Sequence, residues 1–268
     1  MSKNLSDILT AKSFKDLLDL EIVREQVINQ YTRVHNKDGA YWFDSEKLFF
    51  LSKLEDAPKL KECTNFSLYS AFMRMATLGV YPSLDEAYFE PTKSKVIKDT
   101  LSWKGKQRIM SELPNVVMIY EPQLVYDCDE FDFENAPNLT IVKHKKPREK
   151  PANAQLQFVW MRVDYIGGTQ FYMMDIEAVH KAREYSSSWK FNKANSMWTT
   201  STESAWKKTL VNYLWAKMPK SNKMKFAQKA NDEMEKYLQS QNDEPIDDDP
   251  FADVPTGYDS ESGEIFNQ

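Results

Sequence analysis

Residues 155–165 and 169–174 alternate apolar and polar side chains on either side of Gly167-Gly168. No other pattern in the chain constrains the fold as tightly. A period of two is what a half-buried strand requires, and paired glycines supply the positive φ of a tight turn. An antiparallel hairpin is therefore predicted here. Further strands are read at 86–91 and 96–103, in the β-rich stretch 116–126, which is broken at Pro122, and at Phe131-Asp132-Phe133. Proline cannot donate to a ladder, which explains the break.

Helical spacing of Leu, Ile and Val marks 5–20 and 21–34. Asp44 or Ser45 is expected to cap a helix running to Leu54. Residues 66–78 form an apolar helix, with Gly79 where a C-cap glycine belongs. A short helix is read at 104–113, and Asp175 is expected to cap another that ends near Tyr185. Thr202 is the expected N-cap of a helix stopped by Pro219, with Ala205, Thr209, Leu210, Tyr213 and Leu214 on its core face. A last helix spans 222–240. Residues 137–151 read as a polar connection and 186–197 as a polar loop containing Trp189. The predicted fold class is α+β: a helical N-terminal part, a small central antiparallel sheet with a hairpin, C-terminal helices and a disordered acidic tail. The boundaries are 1–60, 61–240 and 241–268.

Composition matters mainly through charge. The net charge of −5 conceals a split, because the tail 241–268 carries nine acidic residues and no Lys or Arg. Residues 91–225 hold 22 basic and 14 acidic side chains. A basic body with an acidic tail suits a nucleic-acid partner. No apolar run reaches membrane-spanning length and no signal peptide opens the sequence, so no membrane partner is expected. Cys63 and Cys128 form no C-x-x-C, which argues against a disulfide framework or a zinc site and for an intracellular chain.

Familiar catalytic patterns are missing. There is no G-x-x-x-x-G-K-[ST], G-x-S-x-G or H-E-x-x-H, and His35, His144 and His180 are scattered. Asp127, Asp129, Asp132 and Glu134 could serve a metal-dependent nuclease. However, no acidic residue is followed two positions later by Lys, as many such enzymes require, and a solvated strand edge is the better reading. Positive charge gathers at Lys93, Lys95 and Lys98; at Lys104, Lys106 and Arg108 beside Trp103; at 143–150; and at 207–225. Lysines on a rigid helix beside aromatics are suited to hold a phosphodiester backbone and its bases.

Several short segments, in order, resemble the RecT/Redβ family of phage single-strand annealing proteins. Residues 70–82 resemble its helix ending in a G-L-x-P-type turn, and 86–91 the strand that follows. Trp103-Lys104-Gly105 matches its aromatic-Lys-Gly. Val125, Tyr126, Asp129 and Phe131 are similar to its V-Y-x-x-D-x-F, and 142–147 to its H-x-P loop. Trp198, Glu203, Lys207-Lys208-Thr209 and Pro219 resemble its closing motif. Ala205, Asn212 and Tyr213 depart from that motif, where the family has Met and basic residues.

The resemblance implies ATP-independent annealing in phage recombination, with residues 61–240 as the DNA-binding core and 1–60 available for subunit contacts. It implies single-stranded DNA and annealed duplex as ligands, self-assembly into a ring or filament, a phage 5′→3′ exonuclease as partner, and the cytoplasm of a bacterial host as location. No cofactor is expected, with Mg2+ only as a counterion. The DNA contacts it suggests are Lys104, Lys106, Arg108, Lys207 and Lys208, with Trp103, Lys143, Lys145 and Lys217 beside them. The tail segment 247–251 resembles the acidic tip of bacterial single-strand binding proteins, which points to such a host protein as a partner or to competition with DNA for the groove, beside the plainer reading of a solubilising disordered tail. The rivals are a single-strand binding protein that does not anneal, the nuclease above, and a structural phage protein with incidental charge.

Overall fold

A computed structural model describes residues 3–36, 38–135 and 138–240. The tail expected to be disordered, 241–268, lies outside them. The described chain divides into two compact units, one formed by 3–109 with 220–240 and the other by 110–219.

The first unit opens with helices α1 (Lys3–Thr10), α2 (Phe14–Asp19), α3 (Glu21–His35), α4 (Gly39–Asp56) and α5 (Asn65–Leu78). The single helix expected over 5–20 is two. Ser13 is extended, and its hydroxyl accepts the Asp16 N–H at 3.1 Å, which starts a new helix. Helix α4 begins earlier than expected because Asp38 caps it by accepting from Tyr41 N, which leaves Asp44 and Ser45 inside the helix. Gly79 closes α5 at φ 67°, as its position implied.

Leu17, Leu18, Val27, Phe43, Phe50, Leu68 and Phe72 form the buried centre of this unit. The hairpin of β1 (Ala87–Pro91) and β2 (Ile97–Leu101) joins this core through Phe89, which stacks on Phe72 at 5.7 Å and meets Phe50 edge-on. Helix α6 (Trp103–Ser111) follows.

The second unit is built around β7 (Leu156–Tyr165). Strands β3 (Val116–Ile119) and β4 (Gln123–Tyr126) pair with successive lengths of β7, as one strand interrupted at 120–122 where Pro122 withholds an N–H. Strand β8 (Gly168–Asp175) also pairs with β7 and completes the predicted hairpin. Ile166-Gly167 make the connection. The positive φ falls on Gly168, at 138°, and Gly167 does not share it.

Strand β5 (Glu130–Glu134) forms a separate hairpin with β6 (Thr140–Lys145). Strand β6 lies inside the stretch read as a polar connection. Its lysines hid the β-branched run Thr140-Ile141-Val142, and its pairing partner is supplied by β5. Phe131 and Phe133 of this hairpin rest on Phe158 of β7.

Val159, Met161 and Val163 of β7 are wholly buried. Helices α7 (Ile176–Arg183) and α10 (Thr202–Lys217) pack against β7 and β8. The segment read as a loop at 186–197 holds α8 (Ser187–Phe191), and α9 (Met197–Thr200) follows it. Their N-caps are Ser186 and Ser196, whose hydroxyls accept from the backbone. Thr202 is not the cap of α10. Ser201 holds that position, and the Thr202 hydroxyl donates back to the Trp198 carbonyl at 2.8 Å.

The chain then returns to the first unit as α11 (Asn222–Ser240). Among the described residues no helix is long and apolar enough to cross a membrane.

Candidate nucleic-acid interface

The basic residues singled out in the sequence fall into both units. In the first unit, α6 presents Trp103, Lys104, Lys106 and Arg108 within two turns. Trp103 and Lys106 are half-buried and Lys104 is exposed. The Lys104 ammonium lies 3.1 Å from the Asp85 carboxylate. Arg108 is tied inward: its Nε donates to the Gly79 carbonyl at 3.1 Å, its Nη1 to Glu86 at 3.3 Å, and its guanidinium lies over the Tyr81 ring. These bonds hold the start of β1 and the turn after α5 against α6. Phosphate would have to compete with them for Arg108.

In the second unit, Lys207 and Lys208 are neighbours on α10 with different surroundings. Lys207 reaches Glu121 and keeps part of its side chain in water. Lys208 is buried, 8% exposed, on the same side of α10 as Ala205 and Thr209. Lys217 is exposed near the end of the helix, its ammonium 4.5 Å from the centre of the Tyr213 ring. On β6, Lys143 pairs with Glu130, and the exposed Lys145 lies opposite Glu130 in the register. Trp198 and Trp206, near these lysines in sequence, are core residues.

The structure adds a cluster that charge spacing alone did not mark. The Glu203 carboxylate accepts from the Tyr126 hydroxyl and from Lys150, whose ammonium also sits 4.1 Å from the centre of the Tyr126 ring. The Tyr126 hydrogen bond, and then Lys150, hold the Glu203 carboxyl below the usual range. Burial, and then Glu203, push the Tyr126 phenol upward. Together with Gln155, Ile176, His180 and Trp206 these residues line an open cleft of about 400 Å³. In the sequence Lys150 stands within a charge run, and only the packing of α10 on β4 gives it its partners.

The second link is among Asp129, His144 and Trp160. An indole N–H can only donate, so the 3.1 Å contact from Trp160 Nε1 makes His144 Nδ1 the acceptor. The ring proton therefore lies on Nε2, 3.1 Å from Asp129 Oδ2. Asp129 also accepts the Tyr126 N–H at 3.0 Å. The acidic run is thus split up rather than gathered. Asp129 is turned inward, Asp127 accepts the Gln155 N–H, and Glu130 is paired with Lys143. Asp132 and Glu134 remain on the exposed side of β5. Among the described residues, no three His, Cys, Asp or Glu side chains are placed to hold a metal ion.

Tyr126, Asp129, His144 and Glu203 come from three separate segments of the resemblance and are brought together by direct contacts. Residues 42–249 match the model of the RecT family. No curated protein matches the chain.

Proposed function

Because the chain belongs to the RecT family, whose members anneal single strands in phage recombination, we propose that it binds single-stranded DNA in a basic groove, assembles with further copies of itself and pairs complementary strands without ATP. The family match over 42–249 carries this reading. The exposed or half-exposed lysines on α6, β6 and α10 support it.

In this reading, lysines neutralise the phosphates of a first strand and release its counterions, so binding weakens as salt rises. The bases stay unpaired until a complementary strand arrives, and base pairing with stacking drives the product. The protein supplies alignment, and Mg2+ acts only as a counterion. Residues 61–240 carry the strand contacts and 1–60 the subunit contacts. A phage 5′→3′ exonuclease supplies the single strands. The acidic segment 241–268 masks the groove or docks a host single-strand binding protein.

The test is ATP-free annealing of two complementary oligonucleotides, followed by fluorescence at two salt concentrations. Annealing that is fast at low salt and slower at high salt is expected. Tight strand binding without annealing would replace this reading with a protective binding protein, and magnesium-dependent cleavage would replace it with a nuclease.

A further inference from the structure

Residues 181–193, from the end of α7 to just past α8, carry Lys181, Arg183, Lys190 and Lys193 against one acidic residue, Glu184. Their geometry differs from that of four of the lysines above. Lys104, Lys143, Lys150 and Lys207 each face a carboxylate. Arg183 and Lys193 are instead gathered by an aromatic ring, with the guanidinium 4.3 Å and the ammonium 5.1 Å from the centre of Trp189. Arg183 has a 3.5 Å contact with Glu184, but among the described residues no carboxylate pairs with Lys190 or Lys193. A ring orients these cations without neutralising them.

Beside them Phe191 is 87% exposed, the most exposed of the large apolar side chains described. It ends a helix whose base is stiff. Ser186, Ser188 and Ser196 are buried and joined hydroxyl to hydroxyl at 3.2 and 3.0 Å. Ser186 caps α8, Ser196 accepts the Trp198 N–H, and the Thr199 hydroxyl holds the Lys193 carbonyl at 2.6 Å. A bare phenyl ring on a braced turn, flanked by Arg183 and by Lys190 and Lys193, for which no carboxylate partner is found among the described residues, suits a ligand with alternating aromatic faces and negative charges.

We propose that 181–193 is a contact for single-stranded DNA, in which an unpaired base stacks on Phe191 while Arg183, Lys190 and Lys193 meet the adjoining phosphates. This rests on the annealing reading and adds a second place where a strand is held. A duplex hides its base faces, so the contact would select the unpaired strand and let go of it once pairing is complete.

The experiment measures binding of fluorescein-labelled oligothymidine to the full-length protein, to Phe191→Ala, to Phe191→Tyr and to Lys190→Ala/Lys193→Ala, across a salt series. Phe191→Ala should weaken binding on the order of tenfold and Phe191→Tyr should restore it, because one base–aromatic stack is lost and regained. The double lysine variant should flatten the slope of log affinity against log salt by about 1.4, as expected for two single-strand phosphate contacts. Unchanged affinity and slope in all variants would overturn the proposal. So would altered sedimentation of the DNA-free variants with DNA binding intact, which would assign the patch to contacts between copies. If the wild-type protein binds no oligothymidine, the annealing reading itself fails and takes this proposal with it.

Discussion

Tyr126 and Glu203 are 77 residues apart in the sequence and meet through a hydrogen bond that joins β4 to the first turn of α10. Both stand at positions where the chain resembles its family. Their pairing gives a structural reason for a tyrosine and a glutamate at these places: each is the other's partner, with Lys150 as the third member. Because the Glu203 side chain is more than half exposed, the bond is weakened by water. A double-mutant cycle of Tyr126→Phe and Glu203→Ala, followed by urea unfolding, should give a coupling of about 1 kcal/mol or less. A coupling indistinguishable from zero would mean that packing alone sets the position of α10.

Asp164 reports on the outer face of the β7–β8 hairpin. Its carboxylate accepts from Arg162, Thr169 and Tyr120, and these bonds, that from Arg162 first, bring its pKa down to about 2 from the usual 3.8. An acid with a depressed folded-state pKa adds stability above its unfolded pKa and loses that contribution as pH falls through the folded value. Asp164→Asn should therefore melt at a lower temperature than wild type at pH 7. The gap should narrow between pH 4 and pH 2. A gap independent of pH would show that the carboxylate charge contributes nothing.

Gly105 sits where α6 crosses the start of the β1 strand. A Cβ at this position would lie 2.0 Å from the Glu86 carbonyl oxygen, a backbone atom that cannot swing away. Gly105→Ala should cost about 1–3 kcal/mol of stability by forcing the helix off the strand. Chemical denaturation would measure this, and an unchanged midpoint would show that α6 shifts freely.

Lys208 and Lys217 lie on one helix and should respond differently to truncation. Lys208→Ala removes a buried stem and should lower stability, whereas exposed Lys217→Ala should leave it within about 0.5 kcal/mol. If Lys217 meets a phosphate, its removal should flatten the salt slope of strand binding by about 0.7. Thermal melts and fluorescence anisotropy separate the two effects. A stable Lys208→Ala protein with a flattened slope would make Lys208, despite its burial, a DNA contact.

The features legible in the sequence are those whose cause is local. Gly79 ends α5 because only a residue that tolerates φ 67° can turn the chain there, and that need is written at one position. The β7–β8 hairpin is legible because alternation and a glycine-bearing turn sit side by side in the chain. The caps of α4 and α10 fall at Asp38 and Ser201 instead of the expected positions because several suitable polar residues lie within a few positions of each helix start, and local pattern does not choose among them.

Strand β6 was hidden because its pairing with β5 outweighs a lysine-rich composition that, read locally, spells a loop. The same limit governs the charges. The lysines are visible in the sequence, yet Lys207 and Lys208 differ by only about 100° around the helix, and that rotation sends one to Glu121 and the other into the core. The contacts of Glu203 with Tyr126 and of His144 with Asp129 likewise join distant segments. The sequence by itself determined the longer helices, the β7–β8 hairpin and the supply of positive charge, since backbone preference and composition act locally. The tertiary structure alone decided which charges are paired, buried or left facing water, because that depends on what the folded chain brings alongside them.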